Sequence, residues 1–133
     1  MHTKRKRSFT LMELAIVIVI IGALAAIGYP GYTKLRETTY QKEAVANIRL
    51  ISAAERSYGM ELATYFTADA VTDINNGLHL SLNEKNWDYR IQTGAGTYTV
   101  TAVRNCTGRP YCACTYTFTQ SSSEPTSSGC NAF

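Results

Sequence analysis

A 21-residue apolar run, Phe9 to Tyr29, broken by a single carboxylate, constrains this chain more than any other feature of its 133 residues. As a helix it would be about 31 Å long at roughly 1.5 Å per residue, enough to cross the hydrocarbon core of a bilayer. Four consecutive cations, Lys4, Arg5, Lys6 and Arg7, stand just before it. Positive charge beside a spanning segment stays on the cytoplasmic side, so the N-terminus is expected inside and the remainder outside. The interruption is Glu13. A carboxylate in a spanning helix costs on the order of 2.5–3.5 kcal/mol on insertion scales, so Glu13 needs a cationic partner.

The residues Ser8-Phe-Thr-Leu-Met-Glu-Leu, followed by an apolar run with Gly22 and Pro30, resemble the N-terminus of type IV pilins and of the pseudopilins of type II secretion. The resemblance covers about residues 4–45. It implies that residues 1–8 are a leader, removed by a membrane-embedded prepilin peptidase between Ser8 and Phe9. Phe9 would then be N-methylated, and the apolar helices would bundle into a filament core. Ser8 stands where the family usually has Gly. Glu13 becomes the fifth residue of the mature chain, where the family's glutamate meets the free amino terminus of a neighbouring subunit. An inner-membrane assembly platform and an assembly ATPase acting in trans are the further partners implied.

Elementary electrostatics supports that pairing independently. Two opposite charges about 4 Å apart attract by roughly 4 kcal/mol at an effective dielectric near 20, comparable to the cost of placing Glu13 in lipid. Two rival readings exist. In a one-pass anchor, Glu13 would merely snorkel to the interface and assembly would not need it. Alternatively, Ala23-Leu24-Ala25 resembles a signal-peptidase site, and cleavage there would release a secreted protein starting at Ala26. Against the second stands Glu13 in the apolar core, and an apolar pattern that runs past Ala25 into a helix.

Net charge is +3, but four of the 13 basic residues lie in the leader, leaving nine against ten acidic ones. The apparent basicity is thus a topology signal, and direct nucleic-acid binding is not expected. The 102 residues after Gly31 suffice for one modest head domain. Gly22, Gly28, Pro30 and Gly31 interrupt the first helix, and Pro30 removes a backbone donor. A kink is expected at Gly22 to Pro30, with local unwinding in a filament as the resemblance implies.

Helical periodicity resumes over residues 32–62. Ala44, Ile48, Ile51, Tyr58 and Leu62 share one face with Tyr40 nearby, suited to packing on a sheet. Glu55 falls within that stripe and needs a hydrogen-bonding partner unless it lies at the edge. Leu35, Ala46, Ala53 and Met60 make a weaker apolar face opposite. Residues 63–86 read as a connecting loop with one short helical turn; their oxygen-bearing side chains lack EF-hand spacing for calcium. His79, the histidine outside the leader, reads as structural or exposed.

Trp87 to Thr93 and Thr97 to Arg104 have strand composition and are joined by Gly94-Ala95-Gly96. Tyr111 to Gln120 reads as a third strand, with Cys112, Cys114, Tyr116 and Phe118 on one face. Cys106, Cys112, Cys114 and Cys130 all lie in the last 28 residues. In an exported chain they read as disulfides with three possible connectivities. A zinc site is the rival, but the C-x5-C-x-C-x15-C spacing lacks paired knuckles. Cys106–Cys112, closing the loop with Gly108 and Pro110, and Cys114–Cys130, tying down the tail, are preferred; the other pairings stay open. Residues 120–129, rich in Ser, read as an exposed loop.

The expected architecture is α+β. A long kinked helix (transmembrane over residues 9–31, amphipathic over 32–62) packs on a small antiparallel sheet in the disulfide region 87–133. No catalytic constellation or cofactor motif is present in the sequence. The expected role is a homo-oligomeric type IV pilus subunit serving adhesion, motility or DNA uptake. A type II secretion pseudopilin is one alternative, and a single-pass anchored or secreted binding module is another.

Overall fold

The computed structural model describes residues 9–108 and 110–130. The expected leader, with Ser8, lies outside the described residues. The chain divides into two compact units, residues 1–36 and 37–133.

The first unit carries the start of helix α1 (Leu11–Leu62). Thr10 begins it: its Oγ1 accepts the Glu13 backbone N–H at 3.2 Å, and its carbonyl accepts Leu14 N–H at 3.2 Å. Thr10-Leu-Met-Glu13 thus has the spacing of a capping box, in which a hydroxyl satisfies one of the helix's orphan donors. The helix runs uninterrupted through Gly22, Gly28, Pro30 and Gly31.

In the second unit the remainder of α1 packs on a four-stranded antiparallel sheet: β1 (Trp87–Gly94), β2 (Thr97–Arg104), β3 (Thr115–Thr119) and β4 (Thr126–Ser128), in that order across the sheet. β1 and β2 pair from Trp87↔Arg104 to Gly94↔Thr97. Ala95 (φ 48°) and Gly96 (φ 76°) turn the hairpin, both left-handed as a two-residue connection matched to strand twist requires. Alternation then decides the core. Trp87, Tyr89 and Ile91 from β1, Tyr98, Val100 and Ala102 from β2, and Phe118 from β3 are buried against Ala44, Ile48 and Ile51 of α1. A helix on one face of an antiparallel sheet is the α+β arrangement read from the sequence.

Several elements depart from expectation. The third strand does not begin at Tyr111. Pro110–Ala113 forms a 3-10 turn, and Cys114 N–H donates to Tyr111 O at 3.2 Å. The Cys106–Cys112 disulfide, spanning only six positions, bends the chain back before a strand can start. Cys112 is therefore not on a strand. The Ser-rich segment supplies the fourth strand, β4, pairing Thr115↔Ser128 and Thr117↔Thr126. Leu62, the last residue of α1, is not part of the core stripe but exposed, and Ala63 just beyond it takes φ 54°. The connecting loop does hold the short helical element expected there, seven residues long as α2 (Val71–Gly77), anchored by buried Val71 and Ile74, with Leu78 and Leu82 buried beyond it.

Candidate assembly site

Phe9, Leu11, Met12, Leu14, every apolar residue from Ile16 to Ile21, Leu24 and Ile27 are all exposed. An apolar stripe normally faces a core on one side only; a helix that is apolar all round belongs in lipid or inside an assembly. By length and composition α1 is able to cross a membrane, and none of its most apolar window is buried within the chain. Glu13 sits in the first turn of this surface, where the positive end of the helix dipole favours a carboxylate. Its carboxylate has no hydrogen-bond or ion-pair partner among the described residues, although its backbone N–H is capped by Thr10. Side chains built at Gly22, Gly28 or Gly31 would meet nothing within 4 Å, so packing within this chain does not require these glycines.

In the second unit, polar contacts fix the helix on the sheet. Arg104 donates to both carboxylate oxygens of Glu37, Nε to Oε2 at 3.2 Å and Nη2 to Oε1 at 3.1 Å. Its Nη1 donates to Asn86 O at 2.5 Å, and its Cζ lies 4.6 Å from the Tyr40 ring centroid. Further along α1, Trp87 Nε1 donates to Tyr40 O (2.8 Å) and Asn47 Nδ2 to Tyr89 Oη (2.9 Å). Burial pushes the Tyr89 hydroxyl up to about 12; the Asn47 bond opposes the shift and the nearby Glu43 charge adds to it. Ser52 Oγ shares a 2.6 Å hydrogen bond with Tyr98 Oη.

Glu55 is fully buried, and its Oε2 accepts the Phe66 backbone N–H at 3.0 Å. Its Oε1 has no partner among the described residues. Desolvation raises its pKa, with the Phe66 hydrogen bond acting the other way. The sequence shows that Glu55 needs such a donor but does not name it. It gives no hint of Glu37 either. Arg104, however, has the inward parity of Ala102 and Val100, a signal that a buried cation needs a carboxylate nearby.

All four cysteines are oxidised, as Cys106–Cys112 and Cys114–Cys130. The second bond holds the end of β4, where Gln41 Nε2 donates to Cys130 O at 3.3 Å. Asn75 and Asn83, two of the loop's candidate calcium-binding oxygens, organise turns instead. Asn75 bonds both Leu82 N–H (2.8 Å) and Leu82 O (3.0 Å), and Asn83 accepts Lys85 N–H at 2.8 Å.

Residues 3–29 match the prokaryotic N-terminal methylation motif. The chain belongs to the type IV pilin and pseudopilin family. It is 36% identical over 93 residues to the "Type IV major pilin protein PilA" of Myxococcus xanthus, covering 69% of this chain and 40% of that relative. It is 49% identical over 53 residues to the "Type IV narrow pilus major component PilA5" of Thermus thermophilus, covering 40% of this chain and 42% of the relative. Over 73 residues it is 33% identical to the "Type II secretion system core protein G" of Aeromonas hydrophila, covering 55% of this chain and 51% of that protein. The chain thus spans about half or less of the length of these relatives. No solved structure matches it. Members of this pilin family are structural subunits, and the exposed apolar helix suits a membrane-anchored precursor.

Proposed function

We propose that the chain is a structural subunit of a type IV pilus, cut between Ser8 and Phe9 by prepilin peptidase and N-methylated on Phe9. The precursor waits in the inner membrane with its N-terminus cytoplasmic. It is then stacked by an assembly platform, powered by an ATPase in trans, into a filament for adhesion, motility or DNA uptake. The observation that carries this reading is an apolar surface exposed all round, bearing one carboxylate without a partner among the described residues. Lateral packing of many such helices removes the apolar surface from water and lipid, and the new α-ammonium of a neighbouring Phe9 supplies Glu13 with its cation. Gly22 to Pro30 is the segment expected to bend or unwind during packing, since no contact among the described residues demands its glycines.

A pseudopilin of a type II secretion system is the second reading, favoured by the likeness to the core protein G. The disulfide-held C-terminal region favours the pilus. Glu13→Ala tests the shared core of both: surface filaments should fall at least about tenfold, the loss of a ~1.4 kcal/mol contact per subunit. Wild-type filament numbers from Glu13→Ala would instead contradict the pairing of Glu13 with a neighbouring Phe9. A secretion defect without surface filaments in the deletion strain would favour the pseudopilus.

A further inference from the structure

Within the second unit, the face of α1 turned away from the core carries Lys42, Ala46, Arg49, Ala53, Arg56 and Met60, all exposed. At about 100° per residue they fall within an arc of roughly 80°, opposite Ala44, Ile48 and Ile51. The three cations recur every seven residues, so they stand about 10.5 Å apart along the helix. None of this unit's α1 carboxylates shares the arc: Glu37 and Glu55 are buried, Glu43 accepts a hydrogen bond from Asn86, and Glu61 projects to one side. Arg49 pairs with Glu124, while Lys42 and Arg56 have no ion-pair partner among the described residues.

The opposite sign collects elsewhere on the same unit. Ala68 pairs with Ile91 through both backbone hydrogen bonds, at 3.0 and 2.7 Å, which draws Asp69 to the margin of β1 where Asp88 lies. α2, whose first turn carries exposed Asp73, lies against β1, and Arg90 is an exposed cation on that same strand. The outer face of α1 thus carries an excess of basic groups, even with Glu124 paired to Arg49, and the β1 margin an excess of acidic ones, even with Arg90 among them.

We propose that the basic outer face of α1 docks a second copy of this chain, through that copy's β1-margin carboxylates Asp69, Asp73 and Asp88. The proposal rests on the filament reading above and names the partner surface of the head. Two complementary patches on different faces make a heterologous contact, which repeats into an open helical array instead of closing as a dimer. Ala46 and Ala53 between the cations let another backbone approach closely. Exposed Met60 and Leu50 beside them offer apolar contact that a protein surface uses and a polyanion does not. Paired charges of this kind steer and register subunits, and their contribution falls as salt rises.

The test uses the full-length chain in its own filaments. Lys42→Glu with Arg56→Glu, and separately Asp69→Lys with Asp73→Lys, should each lower the yield of sheared filaments about tenfold while Trp87 fluorescence stays that of the folded head. Combining all four substitutions restores opposite signs across the contact and should return most of the yield. Either pair assembling like wild type, or the combination doing no better than its parents, overturns the docking. So does a base-reversed variant that assembles normally and has lost only binding to DNA. Absence of filaments from the unsubstituted chain would overturn the filament reading itself, which is a separate result.

Discussion

Arg104, the last residue of β2, grips both carboxylate oxygens of Glu37 on α1, and both side chains are only 6% exposed. With Asn86 O on its third nitrogen and Tyr40 against its plane, every nitrogen of the guanidinium has a hydrogen-bond partner. The repeating apolar stripe of α1 would tolerate a slide of one turn along the sheet. A single buried pair would not, so it sets register as much as it stabilises.

Removing one partner should therefore be expensive. Arg104→Met or Glu37→Ala leaves a buried charge alone and should cost about 3–5 kcal/mol. The double replacement Glu37→Leu/Arg104→Met should recover much of that loss. Trp87, the chain's single and fully buried tryptophan, reports head unfolding by fluorescence during a urea titration of the detergent-solubilised chain.

Glu55 gives an unusual pH dependence. Its pKa is raised in the folded state above the ordinary 4.5, so between those values the folded chain holds more protons than the unfolded one. Its contribution is favourable below about 4.5 and is lost as pH rises through the folded value. Glu55→Gln should remove this slope and raise stability at neutral pH. Comparing the two proteins across pH isolates the effect from the other carboxylates of the chain.

Much of this head was legible because its signals are local. Alternation in Trp87 to Arg104 places the central hairpin, and the spacing of Ala44, Ile48 and Ile51 finds the buried face of α1. The disulfide region was harder: Tyr111 to Ala113 has strand composition, but a six-position disulfide overrides that propensity with a tight turn. β4 consists of Thr, Ser and Ser, which carry no apolar alternation; it pairs because the Cys114–Cys130 bond brings it to β3. Helix α2 did have a signal, Val71, Ile74, Leu78 and Leu82 at spacings of three and four, hidden among polar neighbours. The Glu37–Arg104 pair joins residues 67 positions apart, and no local pattern shows that.

Left-handed backbone predicts substitutions of both signs. Ala63 and Ala95 have φ of 54° and 48°, which costs a residue with a Cβ roughly 1–2 kcal/mol. Ala95→Gly should stabilise the head by about 1 kcal/mol, and Ala63→Gly should do the same at the helix end. Gly129 has φ 69°, and a Cβ there would run into the carbonyl oxygen of Ala113. Gly129→Ala should cost at least about 2 kcal/mol, read in the same urea titration.

The two disulfides should differ in worth. Chain-entropy arguments give roughly 3 kcal/mol for the 16-position separation of Cys114–Cys130 and roughly 2 for the six positions of Cys106–Cys112. Cys114→Ser/Cys130→Ser should therefore be the less stable pair of variants. It should also release β4, seen as fast hydrogen exchange over Thr126 to Ser128, while β1 and β2 stay protected.

The proposed processing and filament membership meet at one terminus. Mass analysis of sheared surface filaments should find a chain that begins at N-methylated Phe9, with Glu13 as its fifth residue. A surface chain that begins at Ala26, or one that still carries Met1 to Ser8, would contradict the account.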